Sequence, residues 1–389
     1  MEFNFKKGMG IGGWLTNYKR FNVLPLDKRF DITIGDMEHF ETYITKWDLE
    51  NIKSMGLDHV RLGFDQVVLE EAPYTYRERI FEILQRFVKD CQECGLGVVF
   101  NLHKAIGNYC DIEESVTLFD SQEYQSRFIA LWLELEKRFS HCGDIAFELL
   151  NEVRDIEPSL WNDLAEKTIN QIRALNKTRY IIIGSTCWNN PNKLHALRVF
   201  DDPYVVYTFH VYDPSEFTHQ RGVLHWKHLY YNRKMEYPCD IEKYREFYRL
   251  VYNNDQAYSH ISRMDIEYMR EILAPAIRFK KQHPDKILWC GEFGTIRHAD
   301  MNSRENWMRD VLTILKENDI PYSVWNYLST PNDGNRFSLV DDDTRKILSR
   351  EMLGIINGST ILTHEEQVDK IAKSVFEKYD EAFRYLAKH

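Results

Sequence analysis

Short apolar runs alternate with amphipathic stretches along this chain from end to end, and no other feature narrows its possible folds so far. Each run is bounded by polar or glycine residues and is too short for an independent helix, so it reads as a strand buried on both faces. The expected strands are Met9 to Gly12, His59 to Phe64, Gly97 to Leu102, Ile145 to Leu150, Tyr180 to Gly184, Val205 to His210, Ile287 to Gly291 and Tyr322 to Trp325. Strands separated by helices feed a parallel sheet, and this set predicts an α/β fold, a (β/α)8 TIM barrel.

Helix starts are marked where Thr45 precedes Asp48, Asp120 precedes Glu123 and Asn302 precedes Glu305, each at capping-box spacing. Gly56 and Gly95 fall where helices should stop before the next strand. Phe128, Trp132, Leu135 and Phe139 make a helical apolar stripe whose job is core packing. Residues 1–389 are expected to form one catalytic domain with two additions. Pro214 to Arg263, rich in Tyr, His and Trp, is expected as a subdomain inserted after the sixth strand, over the barrel mouth. Thr363 to His389 has helical periodicity and charges suited to a solvated face, which predicts a C-terminal helix without chemistry.

A net charge of -10 gives no electrostatic footprint for nucleic acid or an anionic membrane, so neither is an expected partner. Seven cysteines scattered through expected strands and helices indicate free thiols in a reducing compartment. With no apolar signal core in MEFNFKKGMG, the expected location is cytoplasmic unless a leader has been removed. Aromatic residues reach 14%, and rings are the usual apolar platforms of sugar-binding clefts.

In a barrel, chemistry collects where strands end and the following loops begin. The strand ends here carry Arg61, His103, Asn151 with Glu152, His210 with Tyr212, Glu292 and Trp325, and the opposite ends carry no comparable set. Glu152 and Glu292 each close an apolar run, IAFELLNE and ILWCGEFG. Two carboxylates in one mouth point to acid/base or nucleophilic work on a neutral polar substrate.

In order along the chain, GGW, HVRLGF, the LH of FNLHK, LNE, HVY, GEFG and VWNY resemble the motifs of glycoside hydrolase family 5, over roughly residues 5–350. The inserted segment and FTHQ at 217–220 resemble compact bacterial endoglucanases with a small subdomain beside the cleft. The resemblance implies that Glu152 is the general acid/base and Glu292 the nucleophile of a retaining double displacement. It implies that Arg61 and Tyr212 orient the nucleophile, that Asn151 binds the sugar 2-hydroxyl, that His103 and His210 line the reacting subsite, and that Trp325 is its platform. The implied substrate is a β-1,4-linked glucan or cello-oligosaccharide, with mixed-linkage glucan also accepted and no cofactor required. Trimming of oligosaccharides from an end, β-mannan cleavage and a catalytically silent sugar-binding barrel are the competing expectations. One departure is Val153, which stands where many family members have proline.

Trp14, Tyr18, Trp188, Phe217 and Trp226 are further candidate cleft rings, and Trp188 and Asn189 are candidate binding residues. Cys91 and Cys94 form a C-x-x-C without a second pair or a histidine at zinc spacing, and His219, His225 and His228 lack an accompanying carboxylate pattern, so no metal is expected. Asp341 to Asp343 reads as a solvated turn. Lys104 follows His103 and carries no sign of a Schiff-base role.

Overall fold

A computed structural model describes residues 3–18, 32–110, 116–330 and 333–359. The C-terminal helix expected from Thr363 onward lies outside the described residues.

Eight parallel strands close into a barrel in chain order: β1 Lys7–Leu15, β2 His59–Asp65, β3 Gly97–Lys104, β4 Ile145–Glu148, β5 Tyr180–Gly184, β6 Val205–Val211, β7 Ile287–Phe293 and β8 Tyr322–Val324. β1 closes the ring against β8, with Lys7 opposite Tyr322 and Met9 opposite Val324. All eight expected strands are present: β2, β3, β6 and β7 run one or two residues longer than expected, β1 five longer, β5 matches and β8 stops one residue early. β4 is shorter: it leaves the ladder after Glu148, and the chain beyond it is held by Asn151 N–H donating to Leu102 O at 2.9 Å.

Side chains alternate between barrel interior and helix layer with period two. Phe5, Val99, Ala146, Ile182, Val206 and Trp289 pack together as a buried cluster separate from the main core, which fixes the inward parity of their strands. The same parity brings Arg61, Asn101, His103, Glu148 and His210 to the interior nearer the mouth. On β7, Trp289 points inward, so strict alternation would turn Glu292 outward. A β-bulge between Cys290 and Glu292 inserts Gly291 and sets Glu292 opposite His210 of β6. The extra residue re-aims the carboxylate into the barrel.

Helices α1 Ile34–Thr42, α2 Lys46–Ser54, α3 Glu78–Glu93, α4 Gln122–Phe139, α5 Pro158–Leu175, α6 Ile266–Gln282, α7 Met301–Glu317 and α8 Arg350–Asn357 surround the strands. The stripe Phe128, Trp132, Leu135 and Phe139 is wholly buried. Asp48 Oδ2 accepts from Thr45 N–H at 2.9 Å, as the capping-box spacing requires. The other two starts differ by one or two residues. Ser121 caps α4 through Tyr124 N–H at 3.2 Å, and Asp300 caps α7 through Ser303 N–H at 2.9 Å. In both places a second good cap oxygen lies beside the expected one, and the start follows whichever reaches the third amide. Gly56 and Gly95 take φ of 82° and 68° just past α2 and α3. The fifth crossover has no long helix, only a turn at Thr186–Asn189 and a 3-10 segment at Pro191–Ala196.

Between β6 and α6 lie short helices at Ser215–Thr218 and Trp226–Tyr231, a longer one at Glu242–Tyr252, and a ribbon pairing Cys239–Asp240 with Arg263–Met264. This segment leans on the loops that follow β7 and β8: Ile296 N–H donates to Thr218 O at 2.9 Å and Leu224 N–H to Asn335 Oδ1 at 3.1 Å. The cysteines form no disulfide. Among the described residues, no helix is long and apolar enough to cross a membrane.

Candidate active site

Arg61 lies at the centre of the mouth, fully buried on β2. A buried guanidinium must satisfy its fan of donors. Its Nε and Nη2 reach the two oxygens of Glu148 at 2.6 and 2.9 Å, its Nη1 reaches Glu292 Oε2 at 2.5 Å, and Nη2 also reaches Asn151 Oδ1 at 2.5 Å. One cation from the middle of β2 therefore ties together the ends of β4 and β7. Glu148 was not among the residues expected from the sequence. Its signal was available: a glutamate inside the apolar run IAFE must be buried, and a buried carboxylate needs a cation.

Glu292 is 6% exposed and receives a second hydrogen bond, from Tyr212 Oη to its Oε1 at 2.7 Å. Both of its oxygens thus face donors, the pattern that suits a group able only to accept. Burial, and then the charge of Glu292, push the Tyr212 hydroxyl well above the usual tyrosine range, so it stays a donor. Across the mouth, Glu152 follows β4 and receives His210 Nδ1 at 2.9 Å on Oε1. Burial lowers the His210 pKa to about 4, leaving a neutral imidazole near pH 7. One oxygen each of Glu152 and Glu292 and one nitrogen of His210 lie within 4.8 Å of one another. Such a set could ligate a cation, but Arg61 already supplies positive charge to Glu292.

His103 stacks on Trp325 at 5.5 Å with the rings 12° from parallel, and its Nδ1 lies 2.9 Å from Asn101 Oδ1. Burial holds its pKa well below the normal histidine value. Trp325, half-buried at the end of β8, lies over β1, where a Cβ on Gly10 or Gly12 would meet its ring at 2.7 or 2.5 Å. Glycine at both positions lets the indole lie flat along the edge of the mouth.

The structure thus gathers Arg61, His103, Asn151, Glu152, His210, Tyr212, Glu292 and Trp325 at one mouth. The additional rings divide. Trp14 is buried with its Nε1 on Phe40 O at 2.8 Å, and Phe217 is buried against Tyr237, so neither is a cleft platform. Tyr18 is half-buried and packs edge-on to Phe40. Trp226 is 63% exposed on the inserted segment. Trp188 is 42% exposed and anchored by Nε1 to Cys110 O at 2.9 Å. Asn189 has no exposed surface, and its amide addresses protein groups.

Other expectations outside the mouth also resolve. His219, His225 and His228 pack ring to ring at 5.2 and 5.1 Å, with His219 against Tyr212 at 5.0 Å. The turn at Asp341 to Asp343 is not wholly solvated, because Asp342 Oδ2 accepts from Arg297 Nη1 at 2.8 Å. Lys104 is buried with Nζ 2.5 Å from Asn17 Oδ1.

Two glutamates facing each other across the mouth of a (β/α)8 barrel suit the hydrolysis of a glycosidic bond. The chain belongs to the cellulase family, glycosyl hydrolase family 5, whose family model matches residues 27–330. It is 36% identical over 363 residues to Endoglucanase C of Acetivibrio thermocellus, covering 91% of this chain and 98% of that protein. It is 28% identical to Cellodextrinase A of Ruminococcus flavefaciens over 81% of this chain and 83% of that one. Thermotoga maritima Cel5A, solved with cellobiose as substrate in a mutant form, shares the fold with a TM-score of 0.69 and 24% identity, covering 91% of this chain and 97% of that structure.

Proposed function

We propose that this family 5 enzyme is an endo-β-1,4-glucanase that works by retaining double displacement, with Glu292 as nucleophile and Glu152 as general acid/base. The observation that carries the mechanism is the approach of the two carboxylates within 4.8 Å. Inverting enzymes hold their carboxyls about 6.5–9.5 Å apart to admit a water between base and sugar, whereas retaining ones sit about 5–5.5 Å apart. The choice of β-1,4-glucan rests on membership of the cellulase family and on the similarity to Endoglucanase C over 91% of this chain and 98% of that protein.

In the first step Glu292 attacks the anomeric carbon while Glu152 gives its proton to the departing glycosidic oxygen. The bond from C1 to that oxygen breaks and an ester to Glu292 forms. In the second step Glu152, now ionised, takes a proton from water as the water oxygen displaces Glu292 from C1. Arg61 and Tyr212 hold the attacking carboxylate in place, Asn151 addresses the 2-hydroxyl, and Trp325 and His103 form the wall against which the reacting sugar lies.

The deciding experiment is a time course of products from barley β-glucan, carboxymethyl-cellulose and aryl β-glucosides, with Glu292→Gln alongside. A rapid viscosity drop with mixed oligosaccharides is the expected result, and Glu292→Gln should lose on the order of 10⁴-fold in turnover and all covalent labelling by a 2-fluoro glycoside. Glucose or cellobiose released alone would instead make this an end-trimming enzyme. Persistent labelling of Glu292→Gln would remove that residue as nucleophile. Glu152→Gln should slow natural glucan by about 10²–10⁴-fold while partly sparing substrates whose leaving group needs no proton.

A further inference from the structure

Cys187, Trp188 and Asn189 have φ of 56°, 57° and 56°, three successive non-glycine residues in the left-handed region. Such backbone is costly and persists only where its surroundings hold it, most often beside a working site. Here it is tied to the loop that follows Glu152. Trp188 N–H donates to Val153 O at 2.9 Å, Cys187 N–H to Arg154 O at 3.3 Å, and the Cys187 thiol to Asp155 Oδ1 at 2.9 Å.

The product of this turn is the placement of the Asn189 amide. Its Nδ2 lies 2.5 Å from Asn151 O and 3.1 Å from His210 Nε2, while its Oδ1 sits over Gly184, where a Cβ would come within 2.0 Å. Contact with a carbonyl oxygen requires the NH2 side of the amide, which settles its orientation. The second N–H then points at His210 Nε2, so that nitrogen must be the bare acceptor. The ring proton of a neutral imidazole is left on Nδ1, 2.9 Å from Glu152 Oε1. In the opposite tautomer, two donors would face each other at Nε2 and two acceptors at Nδ1.

We infer that Asn189 is a positioning residue that fixes His210 in its Nδ1–H tautomer, so that His210 donates to Glu152 Oε1 and steadies that carboxyl for its proton transfers. The consequence for catalysis rests on the reading of Glu152 as acid/base; the tautomer does not. Without Asn189 the ring could donate from Nε2 toward Glu148, whose Oε1 is 4.0 Å away, and Glu152 would lose the hydrogen bond from His210. The same supporting contact would then be missing in both steps, when Glu152 gives its proton and when it takes one.

The test is ¹⁵N NMR of histidine-labelled protein, with the His210 signals assigned by their loss in His210→Gln. Wild type should show a protonated Nδ1 and an unprotonated Nε2 near pH 7; a protonated Nε2 would overturn the inference without any Asn189 variant. Asn189→Asp, which turns an acceptor toward Nε2, should protonate Nε2. It should also move the pH profile of kcat and lower kcat by roughly 10- to 100-fold, the range seen when partners that orient a functional histidine are removed, with KM little changed. Asn189→Ala should give a mixture of tautomers. If Asn189→Asp keeps the wild-type tautomer and pH profile, Asn189 does not position His210. If the tautomer switches yet the loss is equal for good and poor leaving groups, the positioning stands and the acid role of Glu152 fails.

Discussion

Two buried arginines, one at each end of the barrel, solve the same physical problem differently. Arg179, just before β5 at the barrel floor, spends its donors on one carboxylate and on main chain: Nε and Nη2 reach Glu136 at 2.7 and 3.2 Å, and the remaining contacts go to the carbonyls of Phe139, Cys142 and Ile145 at 2.8–2.9 Å. One cation meets one anion and the set is closed. Arg61 at the mouth instead serves two carboxylates, Glu148 and Glu292, and only Glu148 is wholly buried. The mouth therefore carries a surplus negative charge aimed at the cleft. A buried ion pair by itself argues weakly for stability or function, and what separates these two is the imbalance.

Substitution at the two arginines should give the largest contrast. Arg61→Ala leaves Glu148 and Glu292 uncompensated, so both activity and stability should fall, activity by about 10³-fold or more and stability by about 3–5 kcal/mol. Arg179→Ala should lower stability by a similar amount, about 3–5 kcal/mol, yet leave kcat of the folded enzyme unchanged. Urea unfolding beside initial rates measures both, and a large kcat loss in Arg179→Ala would break the contrast. Next, Glu148→Gln should reduce kcat by roughly 10–100-fold, as expected for weakening a charge-assisted hydrogen bond of about 1.5–3 kcal/mol, while Glu136→Gln should cost stability alone. Tyr212→Phe removes one donor from Glu292 and should cost about 10-fold in kcat with little change in unfolding midpoint.

Acid sharpens the comparison further. The folded pKa of His210, about 4, lies below its ordinary 6.5, so as pH falls the unfolded chain binds a proton first. The stability from keeping His210 neutral is complete above pH 6.5 and is lost between 6.5 and 4, about 3 kcal/mol in all. Unfolding measured across that range should show the slope in wild type and less of it in His210→Gln, with Arg179→Ala parallel to wild type. The smallest effect is that of chelator, which should leave the rate unchanged. A loss restored by a divalent cation would mean that Glu152, His210 and Glu292 serve a metal.

Much of this was legible in the chain because barrel strands are short, apolar and regularly spaced, and because their last residues are polar. Glu152 and Glu292 stand out in that pattern as charges closing apolar runs, and Arg61 as a charge inside one. Three features escaped for physical reasons. The β7 bulge is invisible to a strict two-residue alternation, which would have turned Glu292 away from the site. Glu148 was masked by the two strand-end residues that follow it, although its burial demanded a partner. Asn189 was expected to bind substrate, and its turn toward His210 escaped because nothing in TCWNN announces three left-handed residues in succession. Trp14 and Phe217 were judged by residue type, whereas burial depends on tertiary neighbours.

The double occupancy of Arg61 has a consequence for the middle of the reaction. With Glu292 as the proposed nucleophile, its carboxylate loses its charge once esterified to the sugar, and an arginine paired with it alone would be stranded in the interior as a naked cation, costing several kcal/mol. Glu148 remains against it through both oxygens, at 2.6 and 2.9 Å. The barrel thus keeps a second carboxylate beside the arginine for the proposed covalent state.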